Sequence, residues 1–152
     1  MEIELLRNAE LFAELDDGEL AAVAEICTIQ KFKSAGFIFR EGEPGSRLFI
    51  IASGEVRISR DIPGSGEEAL AVLKPRSCFG EMAVFAKSER STDAIANTDC
   101  TLVAMTRSDF ELLLDFNREL AYKTLWSVVH LLSRRLRTAN DNLRSFLAMS
   151  MF

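Results

Sequence analysis

A chain of 152 residues is long enough for one domain that buries roughly two thirds of the surface its unfolded form exposes, and no second core is required. With 48% hydrophobic and 27% charged residues it has a globular composition, no apolar run approaches the ~18 residues that cross a bilayer, and the opening Met-Glu-Ile-Glu lacks a secretory layout, so a cytoplasmic location is expected. A net charge of −5 argues against a basic nucleic-acid footprint over the whole surface, and three cysteines at long spacings with a single histidine make neither a disulfide framework nor a metal shell.

Helical periodicity runs through Leu5, Leu6, Ala9, Leu11 and Phe12 into Leu15, Leu20, Val23, Ala24 and Cys27. Asp16 with Glu19 three residues on has the capping-box pattern, which predicts a second short helix over 17–27. From 29 to 105 the texture changes to short β-type runs, at 29–33, 37–41, 47–52, 55–60, 68–73, 92–96 and 100–105. Turn residues separate them, including all three prolines, and seven of the eight glycines lie between Gly36 and Gly80, where tight antiparallel connections need them. The pattern reads as a β-sandwich or a jelly-roll barrel, mainly β with flanking α.

After Met105 the helical pattern returns, with Thr106 and Asp109 placed as a cap before Phe110, Leu112, Leu113 and Leu114. Residues 117–149 then run without glycine or proline, and Leu125, Val129, Leu132, Leu136, Ala139, Leu143 and Phe146 alternate spacings of four and three. Such a seam either packs along the barrel or pairs two chains. It outruns what one small barrel needs, so a homodimer through these seven residues is the expectation. The organisation expected is one domain over 1–152, with N-terminal helices at 1–28, the β-region at 29–105 and C-terminal helices at 106–152.

The chemistry concentrates in Phe79-Gly80-Glu81-Met82-Ala83 and Arg90-Ser91-Thr92. A carboxylate accepts hydrogen bonds from a sugar hydroxyl, a guanidinium holds a phosphate in a charge-assisted fork, and the turn between them offers free backbone N–H groups. The pattern reads as a pocket for a small ribose-bearing anion, suited to capture and not to bond breaking. The alternative is that Glu81 and Arg90 pair with each other on the surface, a contact worth at most about 1 kcal/mol. His130 has no serine and acid partners at recognisable spacing and the β-region holds no histidine, so neither a catalytic residue nor a metal site is expected. Arg134, Arg135 and Arg137 form a basic cluster on the long helix; a solvated face explains it, and Arg135 is placed to reach toward Glu81.

Four ordered segments, Phe37-Ile38-Phe39-Arg40-Glu41-Gly42-Glu43, Leu48 to Val56, Phe79 to Ala83 and Arg90-Ser91, resemble the cyclic nucleotide-binding domains of the catabolite activator protein and of cyclic-AMP-dependent kinase regulatory subunits. The resemblance implies an eight-stranded jelly-roll (double-stranded β-helix) barrel with N-terminal helices and a long C-terminal dimerisation helix. It implies that Glu81 accepts from the ribose 2′-hydroxyl and that Arg90 grips the cyclic phosphate. Gly80 then lets the backbone approach the sugar, Met82 and Ala83 offer N–H groups, and Ser91 adds a donor. Thr92 stands where the family usually has alanine and Ala94 where a larger aliphatic residue is common. By alternation Thr92, Ala94 and Ala96 share one face and leave Asp93 solvated on the other.

Aligning on Arg134-Arg135-Leu136 puts Ala139 and Asn140 near the purine, Asn140 being equally readable as a solvated position. The ligand implied is cyclic AMP in preference to cyclic GMP, with no cofactor, and the function a non-enzymatic sensor whose long helix moves on capture. Two rivals stand beside it. One is an interaction module that keeps barrel and dimer but binds no ligand. The other is a transcription regulator without its DNA-reading domain, since the family places that domain after the long helix and this chain stops at Phe152.

Overall fold

The computed structural model describes residues 3–150, the Ala83 side chain excepted. In chain order these form α1 (Ile3–Arg7), a 3₁₀ turn (Glu10–Phe12), α2 (Asp17–Glu25), β1 (Cys27–Phe32), β2 (Phe37–Phe39), β3 (Arg47–Ser53), β4 (Val56–Ile62) and β5 (Gly66–Leu73). There follow β6 (Cys78–Phe79), α3 (Glu81–Phe85), β7 (Asp93–Ala96), β8 (Cys100–Thr106), α4 (Arg107–Phe116) and α5 (Arg118–Ser150).

Every strand pair is antiparallel, and the ladders make two four-stranded sheets, ordered β1-β8-β3-β6 and β2-β7-β4-β5. Among the described residues these ladders stay separate, so the hydrogen bonding makes two packed sheets where a closed barrel was expected. The alternation of β3 shows how the layers stack. Leu48 and Ile50 turn to a core shared with the helices, while Phe49 and Ile51 turn to the core between the sheets. β8 divides the same way, Val103 and Met105 against Leu102 and Ala104. Its sheet is therefore covered on both faces, which is why 48–51 reads as an unbroken apolar run.

The expected capping box is present. Glu19 N–H donates to the Asp16 carboxylate at 2.8 Å and Asp16 N–H to Glu19 Oε1 at 2.9 Å. The same oxygen accepts from Lys123 Nζ at 2.8 Å, tying α5 to α2. The helix ends at Glu25, shorter than 17–27 predicts, because Cys27 already pairs with Met105 as the first residue of β1. β6 escaped the sequence reading: two residues, paired with Phe49 and Ile50, are too few to show a period. Thr106 caps α4 by accepting from Asp109 N–H.

α5 spans 33 residues, roughly 50 Å at helical rise. Leu120, Thr124, Val128 and Leu131 form its buried stripe, whereas Leu125, Val129, Leu132, Leu136, Leu143 and Phe146 are all exposed. No helix among the described residues is long and apolar enough to cross a membrane.

Candidate ligand-binding site

A cavity of about 670 Å³ opens where the β2-β7-β4-β5 sheet, α3 and α5 converge, a volume in the range of small-molecule sites. Its floor begins at Gly80, the N-cap of α3, which holds φ +83°. A Cβ at this position would stand 2.7 Å from Arg90 Nη1 and 3.0 Å from the Arg47 carbonyl oxygen. Only glycine satisfies both the left-handed backbone and that close approach.

Arg90 lies against this glycine at 6% exposure. Its Nη1 donates to Gly80 O at 3.1 Å and its Nη2 to Arg47 O at 2.8 Å. The backbone is pinned as well, Arg90 N–H donating to Glu43 O at 2.8 Å and Gly42 N–H to Arg90 O at 2.9 Å. Among the described residues no carboxylate lies within 4.0 Å of this guanidinium. Burial holds its pKa below the ordinary arginine value; the more distant charges of Glu43 and Glu81 work the other way.

Glu81 is also buried, and its partner is not Arg90. Its carboxylate accepts from Arg135 Nη1, while Arg135 Nη2 donates to the Cys78 carbonyl. Arg135 lies 4.0 Å from Glu10 and Arg134 pairs with the same carboxylate at 2.9 Å. Burial works against the Arg135 charge, yet Glu81 foremost raises its pKa above the ordinary value. A surface pair between Glu81 and Arg90, one of the two sequence readings, is thus not what forms: one acid is latched to α5 and one base is left without an acid.

Met82 is exposed, and the N–H groups of Met82 and Ala83 fall in the first turn of α3, which has no side-chain cap. Ser91 and Thr92 line the cavity, and Ala94 and Ala96 point into the core between the sheets, so the expected alternation of β7 is present. Asp93 is only partly exposed, and its carboxylate accepts from Glu41 N–H at 2.7 Å instead of crowding Arg90.

The helix wall differs from expectation. Asn140 is exposed and lies outside the cavity, whose α5 residues are Leu131, Arg134, Arg135, Thr138, Ala139 and Asn142. At about 100° per residue, Thr138 and Asn142 share a side, and Asn140 sits roughly 200° from each. The spacing Arg134, Thr138, Asn142 carried this signal. Phe39 of β2 and Leu70, Ala71 and Leu73 of β5 also line the cavity, and only the sheet pairing reveals them. The thiol of Cys78, beneath Arg135, is pushed up to about 12 by burial, as is that of Cys27.

An arginine buried among carbonyls beside a glycine-capped helical turn has the donors to hold a small anion, and residues 29–117 match the family model described as the cyclic nucleotide-binding domain. The chain belongs to that family. It is 33% identical over 140 residues, 92% of its length, to the CRP-like cAMP-activated global transcriptional regulator of Mycobacterium tuberculosis, covering 61% of that protein. The crystal structure of the Thermus thermophilus catabolite activator protein superposes with a TM-score of 0.78 at 34% identity, over 89% of this chain and 62% of that one. Glutaminase 2 of Bradyrhizobium diazoefficiens is 32% identical over 89% of this chain and 21% of the enzyme. The chain therefore spans less than two thirds of the length of these relatives.

Proposed function

We propose that this chain is a non-enzymatic sensor that captures a cyclic nucleotide, cyclic AMP in preference to cyclic GMP, and converts capture into movement of α5. One observation carries the reading: a guanidinium at 6% exposure, bordering a cavity, bonded to carbonyls and, among the described residues, to no carboxylate. A buried cation without an anion is costly, and a phosphate entering the cavity removes that cost. The names of relatives that are cAMP-activated or bind cAMP support the same ligand. In this reading Arg90 takes the phosphate, with N–H groups of Met82 and Ala83 and the Ser91 side chain beside it, Thr92 borders the site, Gly80 admits the sugar, and Glu81 accepts from the ribose 2′-hydroxyl.

Glu81 is held by Arg135, so a ribose hydroxyl bonding to that carboxylate must share or displace the contact. The nucleotide thereby acquires different affinities for two positions of α5, the condition for any ligand to shift a conformational equilibrium. The exposed seam of Leu125, Val129, Leu132, Leu136, Leu143 and Phe146, with Ala139 between them, is proposed to pair two copies. We read the two sheets as the halves of a jelly-roll, residues 1–152 as one domain, and the protein as cytoplasmic.

Isothermal calorimetry tests the core of this. Wild-type protein is expected to release or absorb heat with cyclic AMP, more weakly with cyclic GMP, and Arg90→Gln with neither; no binding by wild type ends the proposal. A second reading draws on the same latch: Glu81 already satisfied by Arg135 fits a module that works without ligand. Thermal unfolding separates the two, since a ligand that binds only the folded state must raise the melting temperature.

A further inference from the structure

Resting on the reading of Arg90 as the phosphate-binding group, we infer that Phe39 is a positioning residue whose ring stands where a carboxylate partner would otherwise hold the guanidinium. Arg90 Cζ lies 4.1 Å from the centroid of the Phe39 ring, well inside cation–π range. The π face carries the negative end of the ring quadrupole, so it stabilises a desolvated cation. A carboxylate in that place would do so more strongly, but it would consume N–H donors and repel an incoming phosphate. The ring consumes none. Of the five N–H donors of a guanidinium, two are spent on Gly80 and Arg47 carbonyls, leaving three for a ligand.

Phe39 is built to hold this place. In a regular strand residues 37 and 39 share a face, yet Phe37 is exposed and Phe39 buried. The β2–β7 register shifts between them, Phe37 opposite Ile95 and Phe39 opposite Ala94. Such irregularities re-aim a side chain beside a site. The re-aimed ring rests 6.2 Å from Phe49 and 6.0 Å from Phe79, themselves stacked at 5.2 Å and 15°. The aromatic trio is thus a rigid bed under the cation, and Phe39 also borders the cavity.

The experiment replaces the Phe39 ring with its mono-, di- and trifluorinated analogues, which keep its shape while draining the π face, and adds Phe39→Leu. Each is made in wild-type and Arg90→Gln protein. Cyclic AMP affinity of the Arg90 series is expected to fall stepwise, by about tenfold in total. Ligand-free melting temperature is expected to fall with fluorination only where Arg90 is present. Equal melting shifts in both backgrounds, or a flat series in both, overturn the inference. If the melting series behaves as stated while wild type binds no cyclic nucleotide, the cation–π role stands and the phosphate reading falls. Should Phe39→Leu fail to fold, the fluorinated series still decides.

Discussion

The two ends of the cavity are built on different terms. At the sheet end Gly80, Arg90 and Phe39 are held by backbone carbonyls, a shifted strand register and an aromatic bed, and Arg90 and Phe39 are buried. At the helix end Thr138, Ala139 and Asn142 stand exposed on α5, near the last residues of that helix to reach the cavity. Under the proposed function the pre-organised end loses little entropy on binding and supplies affinity, while the exposed end, less tightly held, supplies discrimination and response. Arg135 spans the two, its guanidinium on Glu81 and its backbone in the helix.

The contrast is open to breakage at each point, beginning where the effect is greatest. Arg90→Gln removes a cation that has no acid partner among the described residues and is expected to weaken cyclic AMP binding by at least about 30-fold, beyond detection in calorimetry. Gly80→Ala places a methyl group 2.7 Å from Arg90 Nη1 on a backbone at φ +83°. Urea unfolding should show a loss of about 1–3 kcal/mol, together with a large drop in affinity. If that variant binds normally, the sheet end is not rigid.

Arg135→Gln should cost less affinity but uncouple the ends. Trp126, the single tryptophan, lies on α5 against His130 at 5.9 Å between ring centroids, and its fluorescence response to cyclic AMP is expected to shrink in this variant. Asn142→Ala should alter the ratio of cyclic AMP to cyclic GMP affinity several-fold, an asparagine amide being matched to the N6 and N7 edge of adenine, while Asn140→Ala leaves it unchanged. Titration to alkaline pH gives the smallest effect near neutrality. With Cys78 and Cys27 held at about 12, the folded thiols stay protonated while unfolded ones ionise near 9, so stability is unaffected below pH 9 and falls as pH rises toward 12. Cys78→Ala should flatten that slope.

How much of this was legible in the sequence follows from the range of the interactions. The Asp16–Glu19 box and the Thr106 cap are local, three residues end to end, and their bonds form as read. The β7 alternation, which sets Ala94 and Ala96 on one face, is local too. What was missed depends on partners far along the chain: β6 exists because Phe49 and Ile50 lie opposite, and Phe39 is buried because its pairing with β7 slips. Asn140 and Asn142 differ only by helical phase, which an unbroken 33-residue helix does not reveal until its buried stripe at Leu120, Thr124, Val128 and Leu131 is known.

Beyond Asn142 no residue of α5 touches the cavity, and Leu131 is the last that lies fully covered. Under the proposed coupling Arg135 is the natural fulcrum, with 15 residues of rod beyond it, roughly 22 Å, so that a tilt of about 10° there would sweep Ser150 through about 4 Å. The length of that rod sets the gain: a small change of angle at the Glu81 carboxylate would become a displacement of several ångströms at the far end.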